Sequence, residues 1–280
     1  MTDMKLRVND VDIHVMEVGS GAPTLVFLHY WGGSSRTWMP VMEQLAGAYR
    51  CLAIDFRGWG QSGKEARDYG LQTLASDVIA VIGQLRLENF FVLGHSMGGK
   101  VAQLVAAGNP VGLQGLILFG PAPPAPMTVP EEQRKGYVGL YDSREGAERV
   151  IGNLTPHPLP DAFREQIIED SMRASPGAKR AWPMEGMIAD IRDEAARITV
   201  PVHVIAGGDD SVEPEASLRA EFGKALRKVD FTVLPGVGHI APLEAPSKLA
   251  DAIRSAQKSL SATAASFTGT RSLTPRTAPG

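Results

Sequence analysis

Three features of the chain predict an α/β fold, with a mostly parallel sheet and helices on both faces. Short apolar and β-branched runs alternate with helix-patterned segments along most of its length. The opening pair, about Lys5 to Val8 and Asp12 to Val18, alternates like an antiparallel edge hairpin around Asn9-Asp10. In Gly94-His95-Ser96-Met97-Gly98 an apolar strand-like run turns abruptly into a helical one.

The elements follow in order. Thr24–Leu28 and Cys51–Ile54 are short apolar strand runs. Leu74, Val78, Val81, Ile82 and Leu85 mark one face of an amphipathic helix. Asn89–Leu93 then reads as a buried strand, and Gly99–Ala107 as a helix with Val101, Leu104 and Val105 on one side. Beyond Phe119 the pattern changes, because Pro121, Pro123, Pro124, Pro126 and Pro130 interrupt regular structure. Residues 122–190 are expected to form an inserted cap of short helices and loops, dividing the core into 1–121 and 191–261. The core resumes near Ile198, with strands at Val202–Ala206 and Val229–Leu234. Residues 262–280 are rich in Ser, Thr, Ala and Pro, and are expected to be a disordered tail.

With 280 residues and 44% hydrophobic content, the chain can bury a substantial core. A net charge of −3 gives no electrostatic footprint for nucleic acid. The single cysteine, Cys51, has no internal disulfide partner and reads as a buried, inert thiol. Met1-Thr2-Asp3-Met4-Lys5 opens no long apolar run, so neither a signal peptide nor a membrane anchor is expected, and cytoplasmic residence is the default. No metal or cofactor is expected, since metal-ligand spacings, a dinucleotide fingerprint and a phosphate loop are all missing from the sequence.

A G-x-S-x-G run between strand and helix is a nucleophile elbow: the glycines allow a tight turn, and the serine hydroxyl stands exposed at a helix N-terminus. Ser96 is therefore the candidate nucleophile. Such a serine needs a base and an orienting acid. His239 is presented by the loop after Val229–Leu234, and Asp209 or Asp210 by the loop after Val202–Ala206. The chain order Ser, Asp, His matches α/β-hydrolases and not the chymotrypsin or subtilisin arrangements.

Over about residues 5 to 260 the chain resembles α/β-hydrolase-fold serine hydrolases of the esterase, lactonase and cofactor-free haloperoxidase type. Four motifs carry the resemblance: His29-Tyr30-Trp31-Gly32-Gly33, Asp55-Phe56-Arg57-Gly58-Trp59-Gly60-Gln61-Ser62, the elbow, and Gly238-His239 with Glu244 and Pro246 behind it. It implies an eight-stranded sheet with a small helical cap. The family's D-x-V-x-P pattern falls on Asp210, Val212 and Pro214, which favours Asp210 over Asp209 as the acid. Some relatives carry the acid after the preceding core strand, where this chain has Gly120-Pro121 and no carboxylate.

One oxyanion donor is expected from the backbone N–H of Met97, after the nucleophile. The resemblance places the other at Trp31. Tyr30 stands where the family usually has glycine, and must avoid a left-handed backbone or accept its cost. It either projects toward the pocket or packs under the cap. Tyr30, Tyr141 and Trp182 are the substrate-pocket candidates, with Tyr137, Phe163, Met184 and Met187 as further cap residues; packing of the cap onto the core is the alternative for all of them. Trp38, Met39 and Trp59 are placed near the mouth by their loop positions. Asp55 is read as tying down its own loop, Glu244 as a support for the His239 loop, and His14, His29, His95 and His203 as scaffold residues.

These assignments imply hydrolysis of a small neutral carboxylic ester or lactone through an acyl-enzyme. Perhydrolase or haloperoxidase activity and carbon–carbon bond hydrolysis are the alternatives, with a ligand-binding receptor of the same fold as the non-enzymatic one. An epoxide hydrolase or dehalogenase would need Asp in place of Ser96.

Overall fold

A computed structural model describes the backbone of residues 1–226 and 228–269, and the side chains as far as residue 263. Strands β1 (Thr2–Val8) and β2 (Val11–Val18) form the expected antiparallel hairpin, with Asn9 at a positive φ in its turn. Next come β3 (Thr24–Leu28), α1 (Met39–Leu45), β4 (Arg50–Ile54), α2 (Leu71–Gln84), β5 (Phe90–His95), α3 (Met97–Ala107) and β6 (Leu113–Phe119). After an excursion described below come β7 (Val202–Gly207) and β8 (Val229–Leu234). The eight strands lie in the order β1-β2-β4-β3-β5-β6-β7-β8. Every pair from β4 to β8 is parallel, and β2 joins β4 antiparallel. This is the α/β-hydrolase fold that the sequence predicts.

The central strands are buried on both faces, which is why they read as continuous apolar runs and not as alternating ones. One face carries Val26, Leu28, Val92 and Leu118 against the inner sides of α2 and α3. The other carries Leu25, Phe27, Phe91 and Ile117 against α1 and the final helix. The helix face expected from Leu74, Val78, Val81 and Ile82 is buried, while Leu85 is only partly so.

Between Pro124 and Ile191, which we term the cap, lie α4 (Glu131–Val138), α5 (Arg144–Leu154), α6 (Asp161–Met172), α7 (Pro176–Ala181) and a π turn at Trp182–Gly186. Its two ends are laced together: the Met127 N–H donates to the Met187 carbonyl at 2.8 Å and the Ile191 N–H to the Pro124 carbonyl at 2.9 Å. The buried Lys100 ammonium on α3 joins this neck, donating to the carbonyls of Ala125 (3.2 Å) and Ala189 (2.7 Å). The chain returns through α8 (Arg192–Ala195), and α9 (Glu215–Ala225) separates β7 from β8.

After β8 come α10 (Ala241–Glu244) and α11 (Pro246–Gly269). The tail expectation is corrected here. Helix α11 runs on to Gly269, past position 262, because Leu249, Ile253, Ala256 and Leu260 give it a buried stripe that carries the helical register onward. Positions 270–280 of that expectation lie outside the described residues. Cys51 is fully buried in β4, and burial pushes its thiol up to about 12. Among the described residues no helix is long and apolar enough to cross a membrane, and no group of three or more His, Cys, Asp or Glu could hold a metal ion.

Candidate active site

Ser96 sits between β5 and α3 with φ 53° and ψ −119°, a backbone that a non-glycine residue holds only at a cost of about 1–3 kcal/mol. The surroundings enforce it. The Ser96 N–H donates to the Phe119 carbonyl (3.3 Å), and the Ser96 carbonyl accepts from the N–H groups of Gly99 (2.8 Å) and Ala122 (3.1 Å). The turn is tight enough that a Cβ on Gly98 would stand 2.4 Å from the His29 carbonyl oxygen. Ser96 itself stays partly accessible at the start of α3.

His239 and Asp210 come from the loops after β8 and β7. The His239 Nδ1 lies 2.7 Å from the Asp210 Oδ2, and both side chains are buried. The other Asp210 oxygen accepts the N–H groups of Val212 and Glu213, each at 2.9 Å, so three donors hold this carboxylate. Asp209 points elsewhere, to the exposed His157 ring at 2.9 Å. Of the two adjacent acids, only Asp210 meets His239. A Glu244 oxygen accepts the Gly238 N–H at 2.8 Å, and the Leu154 carbonyl at the end of α5 accepts the His239 N–H at 2.7 Å. The histidine loop is thus held by both the core and the cap.

Gly120 joins the elbow to this pair. Its φ is +44°, and a Cβ there would lie 3.0 Å from the Asp210 Oδ2 and 3.1 Å from the His239 Nδ1. The end of β6, where some relatives carry the acid, is occupied here by the carboxylate reaching across from β7. Next to Ser96, the His95 ring lies 4.9 Å from the His239 ring, and its Nε2–H donates to the His239 carbonyl at 2.7 Å. Burial, with the His239 charge behind it, holds His95 well below the usual imidazole range, so His95 is a neutral prop. Neither Gly120 nor this role of His95 is legible in a motif.

The backbone N–H groups of Met97 and Trp31 have no hydrogen-bond partner among the described residues. Met97 is the first residue of α3, and Trp31 follows β3 in the loop beside it. That loop is fixed from below. His29 donates from Nδ1 to the Tyr30 carbonyl (2.7 Å) and accepts the Phe56 N–H at Nε2 (3.2 Å); burial lowers its pKa to about 4. Asp55 accepts the N–H of Gln61 in its own loop at 2.7 Å, and also that of Ser35 (2.5 Å) and His14 Nδ1 (2.8 Å). From above, Asp170 of α6 takes the Ser34 hydroxyl at 2.7 Å and the Arg36 guanidinium at 2.7 and 3.1 Å.

The pocket candidates separate. Trp182 lines a narrow cleft with Trp59, Tyr69, Leu71, Leu74 and Met97, and the cleft has room for about one water molecule. Tyr30 is corrected: it avoids a positive φ, its ring packs in the core 5.1 Å from that of His95, and it does not line this cleft. Tyr141 is likewise fully buried, with its ring 4.3 Å from Trp31 and its hydroxyl on the Trp31 carbonyl, so it is no wall of the cleft. Trp38 is a core residue against Phe27 and not a mouth residue, because its apolar ring faces the sheet.

Comparison with known proteins places the chain among characterised relatives. A pimeloyl-[acyl-carrier protein] methyl ester esterase of Pseudoalteromonas atlantica is 29% identical over 241 residues, covering 79% of this chain and 89% of its own. A non-heme haloperoxidase of Rhodococcus erythropolis is 28% identical over 248 residues, covering 81% and 89%. The solved esterase of Exiguobacterium antarcticum superposes with a TM-score of 0.82 at 24% identity, over 89% of this chain and 96% of that one. The family model matches residues 25–252, and the chain belongs to the alpha/beta hydrolase family.

Proposed function

We propose that the protein hydrolyses a small, neutral carboxylic ester or lactone through an acyl-enzyme formed on Ser96. The observation that carries this reading is the buried Asp210–His239 pair, joined to the elbow through Gly120 and the His95 ring, beside a strained, partly accessible Ser96 and two unpartnered backbone N–H groups. In this reading His239 takes the Ser96 proton at Nε2 as the oxygen attacks the carbonyl. Asp210 holds the Nδ1 proton and stabilises the imidazolium. The N–H groups of Trp31 and Met97 stabilise the oxyanion, and the α3 N-terminus adds its dipole. His239 then protonates the leaving alcohol and activates the water that releases the acid. The side chains that line the cleft beside Met97 are apolar, which favours an uncharged acyl group.

The haloperoxidase relative favours a second reading, in which peroxide replaces water as acyl acceptor. A panel of nitrophenyl esters, lactones and diketones, run with and without peroxide, separates the readings. Ester or lactone turnover that disappears in Ser96→Ala is the expected result. A folded wild-type protein that turns over none of them, and is not labelled by a fluorophosphonate, sinks the hydrolase reading and leaves a binding protein.

A further inference from the structure

Three residues close a cycle of hydrogen bonds between the cap and the loop after β3. The Tyr141 hydroxyl donates to the Trp31 carbonyl at 3.0 Å. The Trp31 indole Nε1–H donates to the Lys179 carbonyl at 3.0 Å. The Lys179 Nζ returns to the Tyr141 carbonyl at 2.8 Å, with Asp142 as its counter-ion at 3.0 Å. The Trp31 and Tyr141 rings pack at 4.3 Å and 43°. Tyr141 is fully buried and Lys179 nearly so. Burial raises the Tyr141 phenol well above its ordinary value, which keeps the donor proton in place.

Gly32 shows how closely the two pieces fit. It has φ +99°, and a Cβ there would lie 2.3 Å from the Tyr141 hydroxyl oxygen. The phenol occupies the space that any other residue at 32 would fill. Trp31 is therefore held at its carbonyl, its ring face and its indole N–H, all by the cap. Its remaining polar group, the backbone N–H, is the one left without a partner.

We propose that Tyr141 is a positioning residue: through this cycle the cap sets the direction of the Trp31 N–H, and so completes the oxyanion site. The proposal rests on the ester-hydrolase reading above. It gives the cap a part in the chemical step, apart from any role in selecting substrate. A donor aimed in advance at the oxyanion acts mainly in the transition state, so loosening it lowers kcat and leaves KM almost alone. Misplacement by about 1 Å costs up to roughly 10²-fold.

The test is Tyr141→Phe, which keeps the ring and removes one donor. Expected is a loss in kcat of about 10- to 100-fold with KM within about twofold, equal across acyl lengths. Inhibition by a short alkyl boronic acid, which mimics the tetrahedral adduct, should weaken by a similar factor. Inhibition by an unreactive ketone-free amide of the same size should not change. Trp31→Phe opens the cycle from the other side while keeping the backbone N–H. It should act in the same direction, less than additively with Tyr141→Phe, and it carries the test if Tyr141→Phe does not fold.

Unchanged kcat and boronate affinity in folded protein, with only a lower Tm, overturn the proposal. So does a change confined to KM or to acyl-length ranking, which would make Tyr141 a pocket wall. If the wild type neither turns over esters nor is labelled by a fluorophosphonate, the hydrolase reading fails and takes this role with it. An active, labelled wild type with an unimpaired Tyr141→Phe overturns the positioning role alone.

Discussion

Asp210 reaches across the end of β6 to place its Oδ2 2.7 Å from the Nδ1 of His239, and the missing side chain of Gly120 leaves the room for it. Asp209, one residue earlier, faces the opposite way and pairs with His157 near solvent. The two carboxylates are chemically alike, and only one is desolvated against the imidazole. Asp210→Asn should lower kcat by roughly 10³- to 10⁴-fold, since an amide cannot hold the same tautomer or stabilise the cation. Asp209→Asn should stay within about threefold of wild type, as expected of a solvent-exposed pair. Steady-state kinetics on one ester decides this; the reverse order of damage would remove Asp210 from the triad.

Ser96 and His239 should behave as one unit. Each alanine variant is expected to lose about four to six orders of magnitude in kcat, and the double variant little more, because the proton acceptor has no task without the nucleophile. Losses that multiply would show that the two act independently.

Trp182 and Tyr141 are both buried aromatic residues of the cap, and they have different surroundings: Trp182 borders the cleft beside Met97, while Tyr141 packs on Trp31. Trp182→Ala should open the cleft beside Met97 and reorder acyl-chain preference by about 1–3 kcal/mol, with the smallest ester least affected. Equal losses at every chain length would instead make Trp182 a structural support.

Lys100 offers a test in pH. It is fully buried on α3, faces Glu213 and Asp190, and burial lowers its pKa to about 8 from 10.5. The unfolded chain therefore binds more protons than the folded one between about pH 8 and 10.5. The Lys100 contribution to stability rises with pH across that window and is lost again as pH falls through about 8. The difference in unfolding free energy between wild type and Lys100→Met should grow by about 3 kcal/mol from pH 8 to 10.5, read from urea titrations. A difference that is flat over this window would show that Lys100 titrates as an ordinary surface lysine. The neutral amine keeps two N–H donors, enough for the carbonyls of Ala125 and Ala189, so the neck should hold at high pH.

What the sequence determined by itself was local. Thr24–Leu28, Val202–Gly207 and Val229–Leu234 declare themselves by composition over five or six residues, and the elbow by glycines two positions either side of Ser96. The candidate base and acid were legible because strand, loop and motif sit together in the chain. The close of α11 was not, since its last turns continue a helix whose buried stripe lies upstream of the Ser- and Thr-rich composition. The sequence pattern favoured Asp210 over Asp209; the tertiary structure showed that Asp210 meets the His239 ring while Asp209 turns to His157, put Tyr30 in the core, and placed Trp182 on the cleft and Tyr141 against Trp31. It also brought together Trp31, Tyr141 and Lys179, which stand more than a hundred residues from one end of the cycle to the other. An aromatic side chain in a half-buried helix carries the same pattern whether it lines a cleft or braces a loop. Which of the two it does depends on the group that meets its polar tip, and that group comes from another part of the chain.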